Sequence, residues 1–429
     1  MLVRMNAPAS RALLVLMIVF PTGAWAEGAS FDQLLSTHDL WTFTQDNFQA
    51  ANRELPFRWT STARESARAA RPGMTLFGLP LVEVIARFDG GRISGITANI
   101  YARGDAGNLP KEKYDALIRA SADAISKATG VKAIERGKDP ASAVNADGLV
   151  WRTVTGLYTL EYSFTREMRT RGIPFRAEFV RLSVVPPPQG AGSLLTAAPG
   201  PTPRFNPAAH IQRDAATGDV FIKDVPMIDQ GAKGYCVVAS AERVLRYYGV
   251  AVDANELAQI ANSNATGGTS YPAMISALRK IAGRSKVRVQ EIQRIEARDF
   301  LALIKEYNRA ARETGAAEVS VSGQVIDMAA IYGAMRGDIL REARGRRPSD
   351  TDRFQRTVRE NVDKGVPLLW TVHLGLLGET FAPQANGGHM RLIIGSTKRH
   401  ATFSTRIRGA LDTRSSEWGW RTRGRFALG

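Results

Sequence analysis

Gln230-Gly231-Ala232-Lys233-Gly234-Tyr235-Cys236-Val237-Val238-Ala239-Ser240 decides how this chain is read. It contains the only cysteine among 429 residues, so no internal disulfide can form. From Cys236 onward the residues take helical spacing. Val237, Ala241, Val244, Leu245 and Tyr248 share one face, and Gly249 ends the run. A helix start favours negative charge, which is the condition a thiolate nucleophile needs. Gln230 lies six positions upstream, and Gly231 and Gly234 let the loop fold back toward the thiol. A side-chain amide together with the backbone N–H of the nucleophile can hold the oxyanion of a tetrahedral intermediate.

A thiolate nucleophile also needs an imidazole within hydrogen-bonding reach. There are five histidines: His38, His210, His373, His389 and His400. His38 is far upstream in a Thr-His-Asp-Leu setting that suits a helix cap or surface. His210 sits beside a proline-rich stretch, and His400 lies in a polar Lys-Arg-His run. His389 follows Gly387-Gly388 and opens the apolar run Met390 to Ile394. A histidine at a strand mouth can face a cleft while the strand anchors the core. His373 lies inside a strand-like run and reads as a sheet-face residue, so His389 ranks above it.

The flanking chain divides by composition. Arg4 and Arg11, the apolar run Ala12 to Phe20, Pro21 and then Ala24-Trp25-Ala26 read as a cleaved secretory signal over residues 1–26. An exported protein, periplasmic or secreted, with no transmembrane segment after signal removal is the expectation. Residues 27–185 read as an α+β accessory domain. A helix is expected over Phe31 to Glu54. Strands are expected over Gly73–Phe77, Val82–Phe88 and Ile93–Tyr101, with a hairpin at Asp89-Gly90-Gly91. A helix over Lys111–Thr129 closes at Gly130, and strands follow over Gly148–Thr155, Leu157–Tyr162 and Phe175–Val185. Pro186-Pro187-Pro188 and Ala197 to Pro203 mark a linker over 186–210. Residues 211–429 form the last unit, helices first and strands last, so the fold class is α+β. Within it Arg288–Glu313 and Val325–Arg344 read as mostly solvated helices.

The net charge of +16 suits an anionic surface as a partner. The basic residues are scattered without aromatic interleaving, which speaks against specific nucleic-acid binding. Most read as solvated helix faces.

The segment from Gln230 to Ser240 resembles the active-site segment of papain-like cysteine peptidases. With Val225-Pro226, Tyr247-Tyr248-Gly249, Gly267-Gly268-Thr269 and Gly387-Gly388-His389, residues from about 220 to 395 look like the bacteriocin-processing-peptidase-like branch of that fold. The resemblance implies Cys236 as nucleophile, His389 as general base and acid, and Gln230 as oxyanion donor. It also implies peptide or protein substrates, hydrolysis through a thioester, and neither metal nor cofactor. Members of that family carry an Asp or Asn some residues past the histidine. Here that region reads Phe403-Ser404-Thr405-Arg406-Ile407-Arg408, and Asp412 is the nearest carboxylate. Either Cys236 and His389 act as a dyad, or Asp412 completes a triad, or the tail from Ser396 reflects a changed reading frame. A papain-like binding module and a thiol acyltransferase or amidase are the competing functions.

Overall fold

The computed structural model describes residues 28–61, 63–137, 144, 146–168, 170, 172–187, 205–228, 235–250, 252–263, 269–284, 287–294, 296–321, 326–376 and 388–397. The expected signal 1–26, most of the expected linker 186–210, Gln230, Gly267-Gly268, Gly387, His400 and Asp412 lie outside the described residues.

The first half runs α1 (Asp32–Ser36), α2 (Gln45–Ala51), β1 (Arg58–Trp59), β2 (Ser66–Ala69), β3 (Thr75–Leu76), β4 (Leu79–Pro80), β5 (Glu83–Asp89), β6 (Arg92–Ala102), α3 (Arg103–Ala106), α4 (Lys111–Thr129), β7 (Ile134–Arg136), β8 (Ala146–Arg152), β9 (Leu157–Thr165) and β10 (Arg176–Val185). The single helix expected over Phe31 to Glu54 is broken. A 3-10 turn at Leu40–Thr42 follows α1, and α2 restarts after Thr44, whose hydroxyl accepts from the Asn47 N–H. The polar stretch Thr37-His38-Asp39 interrupts the apolar face there. His38 is exposed.

Eight strands form one antiparallel sheet in the order β1-β2-β5-β6-β10-β9-β8-β7. The period-2 alternation of the sequence sorts its two faces. Val84, Ala86, Ile96, Ala98, Leu160, Val180 and Leu182 face α1, α2 and α4 in one apolar core. Tyr114 and Ile125 of α4 are fully buried there, worth roughly 1.5–3 kcal/mol each for side chains of this size. Gly130, at φ +69°, closes α4 in the left-handed conformation the helix stop requires.

The second half runs β11 (Ile211–Arg213), β12 (Val220–Ile222), α5 (Cys236–Tyr247), α6 (Ala254–Ile260), α7 (Tyr271–Arg284), α8 (Ala297–Thr314), α9 (Met328–Ala334), α10 (Gly337–Gly345), α11 (Pro348–Val362), β13 (Leu368–His373), β14 (Gly388–Ile393) and β15 (Gly395–Ser396). The helix expected over Arg288–Glu313 begins only at Ala297, and that over Val325–Arg344 splits at Met335-Arg336. β13 pairs with β14, β15 pairs with β12, and the Ile222 N–H bonds the Ile394 carbonyl between them at 2.7 Å.

The polar face of the eight-stranded sheet is not solvated. An antiparallel sheet commonly leaves one face to water, yet here Glu83, Thr97, Asn99, Glu161, Ser163 and Arg181 are buried. Helices of the second half cover them. The Arg181 guanidinium meets Glu161 at 2.8 Å and Glu256 of α6 at 3.0 Å, and also pairs with Asp253 at the α6 N-cap. Arg103 donates to Glu178 at 3.0 Å and to the Ser263 carbonyl at 2.6 Å. Ser163 and Arg176 reach Gln259 and Asn262 at 2.8 and 2.6 Å. Burial, together with Arg246 of α5, pulls the Arg87 pKa down to about 10, with Glu242 opposing.

Removing one member of such a group strands the others without compensation. Arg181→Met is expected to cost about 3–5 kcal/mol in urea unfolding. A loss under about 1 kcal/mol would mean that water reaches the carboxylates. Burial works to raise the Glu161 pKa, but Arg181 and Arg136 outweigh it and hold it below its ordinary value. The stability this contributes is present above the unfolded-state value, about 4.3. It drains as pH falls through the lowered folded value, and that acid-side loss should shrink in Arg181→Met.

Candidate active site

Cys236 is the first residue of α5 and is half-buried. The preceding residue, Tyr235, supplies no side-chain cap, and no acid occupies the first turn. The positive end of the helix dipole therefore bears on the thiol without a competing carboxylate from the same turn. Tyr235 itself is buried, which pushes its pKa up to about 12. It packs so closely against Gly104 of α3 that a methyl group there would overlap the phenol. The residue before the cysteine is thus seated on the first half of the chain, a contact with no signal in the sequence.

α5 and β14 run side by side in the same direction. The Ser240 hydroxyl, one turn beyond Cys236, donates to the Met390 carbonyl at 3.4 Å. Cys236, Tyr235, Val238 and Met390 share one apolar cluster. At the far end Tyr247 joins Leu392, Ile393 and Ile394, and its hydroxyl donates to the Gly365 carbonyl at 2.8 Å. The start of the helix therefore meets the start of the strand, and His389 is the second residue of that strand.

Strand alternation adds a detail that the sequence ranking did not contain. Leu369, Thr371 and His373 of β13 are opposite Leu392, Met390 and Gly388 of β14. Leu369 and Met390 pack in the α5 cluster, so these residues lie on the α5 side. Trp370, opposite Arg391, lies 6.0 Å from Phe354 of α11 on the other side. His389, opposite Val372, has the phase of Arg391. For the His389 ring to meet the thiol it must reach round the strand start, where Gly388 is exposed and offers no side chain in the way. His373 has the α5 phase but lies one strand further away. It packs against α9, with its ring 6.3 Å from Tyr332. Gln230, the expected amide donor, and Asp412, the candidate third residue, lie outside the described residues.

His210 does not belong to this site. It stacks on Phe205 at 5.0 Å and its Nδ1 is 2.9 Å from Asp224. Among the described residues no group of His, Cys, Asp and Glu has the arrangement of a metal site. Among them, too, no helix is long and apolar enough to cross a membrane.

Burial holds the His373 pKa below its ordinary value, and its Nδ1 finds no hydrogen-bond partner among the described residues. Between the lowered folded value and the unfolded value near 6.5 the unfolded chain binds more protons. Stability should therefore fall as pH drops through that window. His373→Phe, measured by urea unfolding across the same range, is expected to flatten the slope. An unchanged slope would assign it to another group.

The chain can also be placed among known proteins. No curated protein matches it, and no solved structure does. A family model does match over part of its length, and the matched stretch contains both Cys236 and His389 but ends before Asp412. Residues 222–406 match the Peptidase_C39 like family, and this similarity supports a papain-like cysteine peptidase family for that part of the chain.

Proposed function

We propose that this protein is an exported cysteine peptidase in which Cys236 attacks the peptide carbonyl and His389 moves the protons. The observation that carries this reading is the lone thiol at the first residue of α5, at the end where the helix meets the histidine-bearing start of β14. The match of residues 222–406 to a peptidase family supports it independently. Export rests on residues 1–26, with their basic start and short apolar run.

In the proposed cycle the Cys236 Sγ, its proton passed to the His389 imidazole, bonds to the carbonyl carbon. The carbonyl π electrons move to oxygen. The backbone N–H of Cys236 and the Gln230 amide donate to that oxyanion. As the tetrahedral intermediate collapses, the C–N bond breaks and His389 returns its proton to the leaving amine. A thioester remains. Water, deprotonated by His389, attacks it and releases the acid and the thiol. The Cys236–His389 pair works as a dyad here, and the first half of the chain serves as an accessory domain that seats the start of α5.

A second reading has its own support. The family match stops before Asp412, and the phase of β14 turns His389 from the α5 side. A papain-like domain retained for binding would tolerate both.

Carbamidomethylation of the intact protein by iodoacetamide at neutral pH separates the two. A catalytic Cys236 reacts faster than free cysteine, and His389→Ala abolishes the advantage. Peptide hydrolysis should fall by about 10²–10⁴ in His389→Ala and vanish in Cys236→Ala. Labelling no faster than free cysteine would favour the binding module. Loss in His373→Ala with His389→Ala unaffected would hand the base role to the other histidine. Products carrying an added amine would indicate acyl transfer in place of hydrolysis.

A further inference from the structure

β13 is bonded along its whole length to β14 on one edge. Among the described residues no other strand pairs with it. Alternate N–H and C=O groups of an edge strand point away from its partner and can template a further strand. This edge borders a cleft of about 1410 Å³, walled by α7, residues 287–294 and α8 to α11. Small-ligand sites are commonly about 300–1,000 Å³, so the space suits a longer, extended guest.

The charge of the wall is one-sided. Nine lining residues are Arg or Lys and three are Asp or Glu, which leaves the cleft strongly positive. Asp350 is engaged by Arg347 and Arg353, each at 2.8 Å. Arg288, Arg341 and Lys364 have no ion-pair partner among the described residues. In the sequence these cations are spread from 288 to 364 and read as solvated helix faces. The fold gathers them around one strand. Between them the wall is apolar, with Met274, Leu278, Leu303, Leu369, Trp370 and Val372.

We propose that this cleft binds an extended acidic peptide, which adds as a strand to the edge of β13 away from β14 while its carboxylates meet Arg288, Arg341, Arg344 and Lys364. A strand edge offers the repeat of donors and acceptors that a peptide backbone matches, and a nucleic acid has no such backbone. The guest would lie two strand spacings, about 9–10 Å, from β14, the strand that carries His389. That the guest is the substrate rests on the proposed hydrolysis; that it binds does not.

The test uses full-length Cys236→Ala protein, which cannot cut the peptide. A fluorescein-labelled alternating Glu-Val peptide is titrated by anisotropy against its Lys-Val counterpart, against an alternating Glu-Val peptide N-methylated at every second amide, and against an oligothymidylate of equal charge. The Glu-Val peptide is expected to bind at least about tenfold tighter than each. The charge reversal Arg341→Glu with Lys364→Glu should weaken it by about tenfold or more. Lys364 and Arg341 are both exposed, and an unchanged melting curve would show that the variant is folded. Equal binding of the Lys-Val peptide, or none of either, overturns the proposal. So does oligothymidylate binding as tight as the peptide with no effect of N-methylation, which would make the cleft a general polyanion site. If wild-type protein fails to hydrolyse while Cys236→Ala binds, the peptidase reading falls and the cleft stands.

Discussion

The buried charge layer between the eight-stranded sheet and α6 is the constraint on which the rest of this molecule depends. A guanidinium has a fixed planar fork, and Arg181 fills it from both halves of the chain, with Glu161 from β9 and with Asp253 and Glu256 from α6. Buried pairs of this kind add little net stability over an apolar contact, because desolvation offsets attraction. Their force is directional. An apolar layer would allow α6 to slide or rotate at small cost, whereas the fork of Arg181 accepts one placement. Asp253 contributes twice, since its carboxylate also accepts the Asn255 and Glu256 N–H groups at 2.8 and 3.0 Å and so starts the helix. α6 has only seven residues, too few to hold helical shape alone in water. Asp253 thus helps both to start the helix and to place it, alongside Glu256 and the buried Leu257 and Ala258.

That placement carries through to the cysteine. α5 is fixed against β14 by Ser240 and by the apolar cluster around Val238 and Met390. At its start, Tyr235 is fixed against Gly104, next to Arg103 of the charge layer. The first turn of α5 is therefore held from two directions, and only one of them belongs to the part of the chain that resembles a peptidase. The first half of the chain touches the residue beside the thiol through Gly104. A linker rich in proline and glycine suggests loose tethering, but a layer of buried guanidinium and carboxylate groups works against free relative motion.

The sequence disclosed the parts whose signal is local. The run from Cys236 to Tyr248 has helical period and a glycine stop, and Met390 to Ile394 has the length and composition of a buried strand, so both elements are where their residues put them. The stretch Val82 to Phe88 reads as a strand, and in the structure it has one polar face. The stretch alone could not say what covers that face, because burial of Glu83 and Arg87 depends on helices more than 150 positions away. Phe31 to Glu54 misled for a related reason. Its apolar residues recur at helical spacing, yet they pack from two short helices set at a turn, and the polar stretch Thr37 to Asp39 and the Thr44 cap mark the break. The ranking of His389 above His373 used position along the strand, while the phase of the strand against α5 needed the register with β13.

That register ties the two sides of β14 together. The same pleat that gives Met390 to the α5 cluster gives Arg391 to the opposite face and brings Gly388 to the exposed strand start. Strand β13 meanwhile turns toward a cleft rich in arginine an edge that no other described strand pairs, so a peptide aligned there would run beside β13, two strand spacings from β14. Charge collects the guest on the β13 side, and the helix dipole favours an anion on the α5 side. A carboxylate-bearing peptide would be attracted to both, and the many arginines of the cleft hold it on the β13 side.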